Sequence, residues 1–127
     1  IVSSSFVKLA KIGVVNRHNS ILPQYRGRLA PFWALKNKEE FTAVSIHLIG
    51  EKIDRGPLIY QKRIKINENE TFESLTNKCY YYSRPALLLA VDLLSTIPIA
   101  KFPIPKGKGS YFSFPSLREA INFRLGK

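Results

Sequence analysis

The sequence predicts an α/β domain with a partly parallel sheet. Short apolar or alternating runs at 1–7, 12–16, 43–49 and 56–66 read as strands, segments at 32–40 and 72–97 read as helices, and the two kinds interleave. The strands are too few for a complete doubly wound domain. The chain also begins at Ile1 inside an apolar run and contains no Met. The expectation is part of a longer protein, with the amino-terminal half of the domain missing.

Each element follows from its pattern. "IVSSSFV" and "IGVVN" are short apolar runs, the first apolar enough to be buried on both faces. "FWALKNKEE" at 32–40 has helical character. "AVSIHLI" alternates, with Val44, Ile46 and Leu48 on one face and Ser45, His47 and Ile49 on the other. "GPLIYQKRIKI" supplies the next strand. Thr71 is placed to cap a long helix in which Phe72, Leu75, Cys79, Tyr82, Ala86, Leu89, Leu93 and Ile97 recur at steps of three and four. Pro85 predicts a kink near Arg84. Pro98, Pro103 and Pro105 end the pattern, so 98–127 reads as an irregular extension. Within it, Ser-Leu-Arg-Glu from Ser116 has capping-box form and opens a last short helix.

Composition narrows the function classes. With 127 residues, 45% hydrophobic and 23% charged, the chain can fill one core and is not a disordered segment. A single cysteine, Cys79, excludes an internal disulfide, reads as a small buried apolar group and fits a cytoplasmic setting. The longest apolar stretch, "PALLLAVDLL", contains Asp92 and is too short to cross a bilayer, so no membrane partner is expected. The net charge of +11 favours phosphorylated or polyanionic partners, and it equally describes a solvated basic face. No phosphate-binding glycine loop and no nucleophile elbow is present. The two His and one Cys lack zinc spacing, so no metal is expected.

Three polar residues stand out. Asn16 and His18 lie two apart at the end of an apolar run, so both side chains project to one side of a strand. An amide and an imidazole together suit the stabilisation of a developing oxyanion, although an Asn turn beside a surface His has the same sequence. Asp54 sits between Gly50 and Gly56, either as an Asx-turn residue or as a third member of the site. His47 is as readily structural as catalytic. Ser20 has no obvious base partner, and Pro23, Tyr25, Arg26 and Gly27 form a turn-rich loop able to close over the site. In "CYYYSR" at 79–84, Tyr82 reads as core and its neighbours as flank, with base stacking beside Arg84 as the alternative.

"GVVNRHNSILPQYRG" followed by "SIHLIGEKIDRGPLIYQ" resembles the folate-dependent formyltransferase family, which uses 10-formyltetrahydrofolate. Its members include methionyl-tRNA, amino-sugar and glycinamide ribonucleotide formyltransferases and formyltetrahydrofolate hydrolase. Asn16, His18, Ser20, Leu22, Pro23, Arg26, Gly27, Asp54 and Gly56 match the family pattern, best over residues 1–66. The resemblance implies a Rossmann-like domain with a mostly parallel sheet flanked by helices, residues 1–97 being its carboxyl-terminal half. It also implies catalysis by Asn16, a protonated His18 and Asp54, with Asp54 raising the His18 pKa; His47, Ser20 and Arg26 are secondary candidates. A folate pocket would be lined by Val7, Lys8 and Leu9 at the end of the first strand and by Ile49, Gly50, Glu51, Lys52 and Ile53, with Lys8 near the glutamate tail. The family's short helix between that strand and Asn-x-His is expected to be deleted, or its residues to be missing from this sequence, because only "AKI" separates "FVKL" from "GVVN".

For the acceptor, "YRGRLAPFWALKNKEE" is similar to the sugar-amine and tRNA enzymes. An amino sugar or similar small amine is the favoured partner, with tRNA also open. Hydrolysis of 10-formyltetrahydrofolate is the alternative reaction. A non-catalytic RNA-binding module is the last reading, resting on the charge and on Tyr80–Tyr82.

Overall fold

The alternating segment of the forties is the centre of the molecule. In the computed structural model, which describes residues 4–126, it forms β3 (Phe41–Leu48), buried on both faces from Thr42 onward. β1 (Val15–His18) and β4 (Leu58–Lys65) flank it, in the order β1-β3-β4. Val44, Ile46 and Leu48 enter the core with Ile59 and Ile64 of β4, as the alternation requires.

Both pairings in this sheet are antiparallel, with Asn16 opposite His47 and Ser45 opposite Gln61. The expected mostly parallel sheet is therefore corrected. Parallel neighbours need a crossover of a dozen or more residues, and the 49–57 link between β3 and β4 is too short for one. The 19–40 link does contain a helix, α2 (Ala30–Lys36), but the 19–25 turn and the two-residue β2 (Arg26–Gly27) precede it. Strand–helix–strand order is thus not by itself a parallel unit. The described parallel pair is peripheral, joining β2 to β5 (Tyr111–Phe112).

The first predicted strand is also corrected. Ile1–Ser3 lie outside the described residues, and Ser4–Lys8 form a short helix, α1. A doubly buried strand needs sheet neighbours, but Phe6 and Leu9 are 55% and 81% exposed. The helix closes locally through Leu9 N–H to the Phe6 carbonyl, at 3.1 Å. Between Leu9 and Gly13 no helix is present.

The long helix, α3 (Phe72–Thr96), packs on β3 and β4 and runs through Pro85 without a break. Its buried stripe is Leu75, Cys79, Ser83, Ala86 and Ala90, whereas Phe72 and Leu89, both predicted inward, are exposed. Ser83 joins the stripe because its hydroxyl donates to the Cys79 carbonyl at 2.6 Å, satisfying the group inside the helix. Thr71 caps as expected: its side chain accepts from Ser74 N–H while Ser74 Oγ accepts from Thr71 N–H. Thr71→Ala should lower unfolding free energy by about 1 kcal/mol, read from the urea midpoint at unchanged slope.

The carboxyl-terminal segment returns to the front of the molecule. After a 3₁₀ turn at Ile99–Lys101, β5 lies beside β2, and α4 (Leu117–Arg124) starts with the Ser116–Glu119 capping box. Phe112 stacks on Trp33 and Tyr25 at centroid distances of 4.6 and 5.2 Å. Trp33 Nε1 donates to the Ser113 carbonyl and Lys36 pairs with Glu119. Phe32 and Trp33 are thus packing residues of α2, not groups presented to a ligand.

Candidate functional site

Asn16, His18, His47 and Asp54 meet at one end of the sheet. Asn16 and His18 share a side of β1, and the pairing of Asn16 with His47 brings the second imidazole alongside. Asp54 comes from the 49–57 loop at a left-handed φ of 51°, a conformation Asp tolerates better than most residues. Asn16 Nδ2 donates to Asp54 Oδ1 at 3.3 Å and lies 3.1 Å from His47 Nε2. His47 Nδ1 is 2.8 Å from the Leu48 carbonyl and must carry the ring proton, which leaves Nε2 as an acceptor. Both amide hydrogens of Asn16 are therefore engaged.

His18 Nε2 is 2.7 Å from the Tyr25 carbonyl, so that nitrogen is protonated. Its Nδ1 faces Asp54 Oδ2 at 3.5 Å. Two acceptors around one ring fit the imidazolium, but burial opposes the charge. Burial is the largest influence and holds the His18 pKa below the ordinary histidine value despite the raising effects of Asp54 and the Tyr25 carbonyl. Asp54 does raise the His18 pKa, as the resemblance implies, but burial outweighs it, so the net shift is downward and disfavours the expected protonated form. For Asp54, burial pushes the carboxyl up. The His47 and His18 rings beside it and the Gly27 N–H at 2.8 Å together outweigh it and hold the carboxyl below the usual Asp value.

Both shifts have the same sign for stability. Depressed folded pKa values contribute stability that is full above the unfolded values and is lost as pH falls. Unfolding free energy should therefore decline from about pH 6.5 downward as His18 protonates preferentially in the unfolded chain, with Asp54 adding to the loss nearer pH 4. Denaturant titrations across pH 4–8 on wild type and His18→Gln check this, the variant having the flatter profile between pH 5 and 6.5.

The secondary candidates fall elsewhere. Ser20 is buried and shapes the turn, its hydroxyl donating to the Gln24 carbonyl and its own carbonyl accepting from Ser45 Oγ. Arg26 Nη2 donates to the Lys108 carbonyl at 3.1 Å, and its buried Nε has no hydrogen-bond partner among the described residues. Val7, Lys8 and Leu9 lie at the end of α1, and Gly50–Ile53 form an exposed loop. The Ile49 N–H donates to the Val14 carbonyl at 2.8 Å, one step beyond the β1–β3 pairing. Leu9, Ile12 and Ile53 leave apolar side chains exposed in this part of the chain.

Sequence reasoning missed the backbone partners, the Tyr25 carbonyl and the Gly27 N–H, because no side-chain pattern marks a carbonyl or an amide. A cleft of about 200 Å³ opens beside His18, lined among others by Arg17, Asn19, Leu29, Phe72 and Tyr80. A larger cavity of about 360 Å³ beside Ile21, Tyr25 and Phe41 includes none of the four site residues. Among the described residues no group of three or more His, Cys, Asp or Glu offers a metal site, and no helix is long and apolar enough to cross a membrane.

The chain belongs to the formyl transferase family, whose sequence model, described as "Formyl transferase", matches residues 1–91. It is 36% identical over 112 residues to a bifunctional polymyxin resistance protein ArnA of Wigglesworthia glossinidia brevipalpis, covering 88% of this chain and 17% of that one. It is 35% identical over 92 residues to a methionyl-tRNA formyltransferase of Thermodesulfovibrio yellowstonii, covering 72% of this chain and 30% of that one. Among solved structures it is similar to WlaRD, a sugar 3N-formyl transferase, with a TM-score of 0.72 and 26% identity over 79% of this chain and 36% of that one. The chain thus spans less than a third of each of these two sequence relatives.

Proposed function

We propose that this chain carries the formyl-transfer centre of an enzyme that moves a formyl group from 10-formyltetrahydrofolate to a primary amine. The amine of an amino sugar or similar small molecule is the favoured acceptor, and the setting is cytoplasmic. The observation that carries this reading is the convergence of Asn16, His18 and Asp54 within 3.5 Å contacts on a buried carboxylate. The solved sugar 3N-formyl transferase was studied with dTDP and 5-N-formyl-THF, which supports both the folate and the sugar assignments. The partly exposed segments Val7–Leu9 and Ile49–Ile53 are where this chain would hold the folate, with Lys8 towards its glutamate tail.

The reaction joins the amine nitrogen to the formyl carbon and breaks the bond from that carbon to the folate nitrogen. The amine loses one proton and the departing nitrogen gains one. Neutral His18, with Nδ1 against ionised Asp54, is a pair able to hold that proton in transit: burial keeps it labile and Asp54 makes its arrival favourable. Asn16 supplies the oxyanion donor by exchanging one of its present acceptors, Asp54 or His47, for the formyl oxygen. His47 positions Asn16 and the carboxylate.

The test incubates the protein with 10-formyltetrahydrofolate and a panel of amino sugars, amino-sugar nucleotides and aminoacyl-tRNA, following formyl-amine product. Formyl transfer to a small amine, lost in His18→Ala, is the expected result. Formate release without an acceptor would reassign the site to hydrolysis. Formylation of aminoacyl-tRNA alone would reassign the acceptor.

A further inference from the structure

In its neutral form His18 has one ring proton and two acceptors within reach. The Tyr25 carbonyl lies 2.7 Å from Nε2, and Asp54 Oδ2 lies 3.5 Å from Nδ1. A carboxylate is the stronger acceptor, so on charge alone the proton would sit on Nδ1. The shorter contact gives it to Nε2 instead, and that outcome depends on a carbonyl held in place. Tyr25 has a left-handed backbone with φ of 53°, which a bulky residue adopts only where its surroundings impose it. Two separate segments impose it here. From the tail, Ser110 Oγ accepts the Tyr25 N–H at 2.8 Å, and the Phe112 ring stacks on the Tyr25 ring at a centroid distance of 5.2 Å. Just past the end of α2, Glu39 Oε1 accepts the Tyr25 hydroxyl at 2.6 Å and Asn37 Nδ2 donates to that hydroxyl at 2.9 Å. The transfer chemistry itself uses none of these four contacts.

We propose that Tyr25 is a positioning residue for His18: clamped between the tail and the segment after α2, it fixes its carbonyl against Nε2, claims the ring proton there and leaves Nδ1 bare beside Asp54. The tautomer belongs to the chain itself, and only its use rests on the formyl-transfer reading. In that use, the proton leaving the acceptor amine bonds to Nδ1. The imidazolium holds it between Asp54 and the Tyr25 carbonyl, and it then passes to the departing folate nitrogen. With the carbonyl displaced, the resting proton moves to Nδ1 and occupies the position the incoming one requires. The effect therefore falls on turnover rather than on the binding of either substrate. His47 has the opposite tautomer, its Nδ1 proton fixed by the Leu48 carbonyl at 2.8 Å, and so reports on the surrounding fold independently of Tyr25.

Imidazole nitrogen NMR spectra of the isotope-labelled protein, at about pH 8 where histidine is ordinarily neutral, read both tautomers directly. His18 and His47 are the two histidines of the chain, and the signals lost in His18→Gln assign them. Wild type should show His18 protonated at Nε2 and His47 at Nδ1. Tyr25→Gly permits the left-handed backbone but removes the clamp. It should move His18 towards the form protonated at Nδ1 and leave His47 as it was. Glu39→Ala should produce part of that shift, and Glu39→Gln, which keeps an acceptor for the hydroxyl, should restore the wild-type spectrum. Glu39 is exposed, so this pair decides the question even where Tyr25→Gly fails to fold. In transfer assays Tyr25→Gly should lower kcat about tenfold to a hundredfold and Glu39→Ala about threefold to tenfold, with both KM values within about twofold. His18 protonated at Nδ1 in wild type, an unchanged His18 signal in folded Tyr25→Gly, equal movement of both histidines in Glu39→Ala, or a loss confined to KM would each overturn the proposal. A Tyr25-dependent tautomer in a protein that transfers no formyl group would instead retain Tyr25 as the holder of His18 and reject the transfer reading.

Discussion

Asp54→Asn is expected to lower formyl transfer by about a thousandfold while leaving the chain folded. Asn accepts the left-handed backbone at this position, and its oxygen can still take the Gly27 N–H, so the loop keeps its course. The change removes charge and reverses one hydrogen bond. Where Asp54 Oδ1 now accepts from Asn16 Nδ2, the new amide would present a second donor to the same hydrogens. The influence that most raises the His18 pKa disappears, so burial drives that pKa lower still and the ring holds a transferred proton poorly. Steady-state transfer, with 5-formyltetrahydrofolate binding as the control for folding, measures the effect. A variant within tenfold of wild type would remove Asp54 from the chemistry.

The second large effect is structural. An ideal Cβ at Gly27 would lie 2.1 Å from the Phe112 carbonyl oxygen and 3.0 Å from the Tyr111 ring, on a backbone with φ of 98°. Neither the carbonyl nor the φ can adjust cheaply, because Arg28 N–H donates to that same Phe112 carbonyl at 2.9 Å. Gly27→Ala should destabilise by about 3–5 kcal/mol, combining left-handed strain with loss of the β2–β5 pairing. It should also reduce transfer at temperatures where the protein is still folded, because the Gly27 N–H fixes Asp54. Equilibrium denaturation and amide exchange at residues 110–113 test both parts; a loss under about 1 kcal/mol would show that the two strands separate freely.

Elements with a local signature were legible in the sequence. The alternation of Val44, Ile46 and Leu48, the Thr71 and Ser116 caps and the core position of Cys79 all follow from side-chain type and spacing, and the structure has them. The convergence of Asn16, His18 and Asp54 was legible through motif resemblance, and their geometry agrees with it. Strand direction was not, because antiparallel pairing depends on the path through the 19–25 turn and the short 49–57 link rather than on any residue's propensity. The opening apolar run failed for a related reason: hydrophobicity favours burial, but a strand also needs a neighbour to satisfy its backbone. On α3 the three-four spacing chose Leu89 where packing chose Ser83 and Ala90, since a hydroxyl bonded to its own helix is as easily buried as a methyl. The protonation state of His18 depended on the balance of burial against Asp54, which no linear sequence displays.

The pairing of β5 with β2 has a kinetic consequence. Arg26 N–H donates to the Ser110 carbonyl, Arg28 N–H to Phe112, and between them Gly27 N–H holds Asp54. Release of a segment more than eighty positions downstream would free the backbone that fixes the carboxylate, so peeling of the tail and loss of the site belong to one local opening event. The exchange rates of the amides of Arg26, Gly27 and Arg28 should then share a single opening free energy, smaller than that of β3.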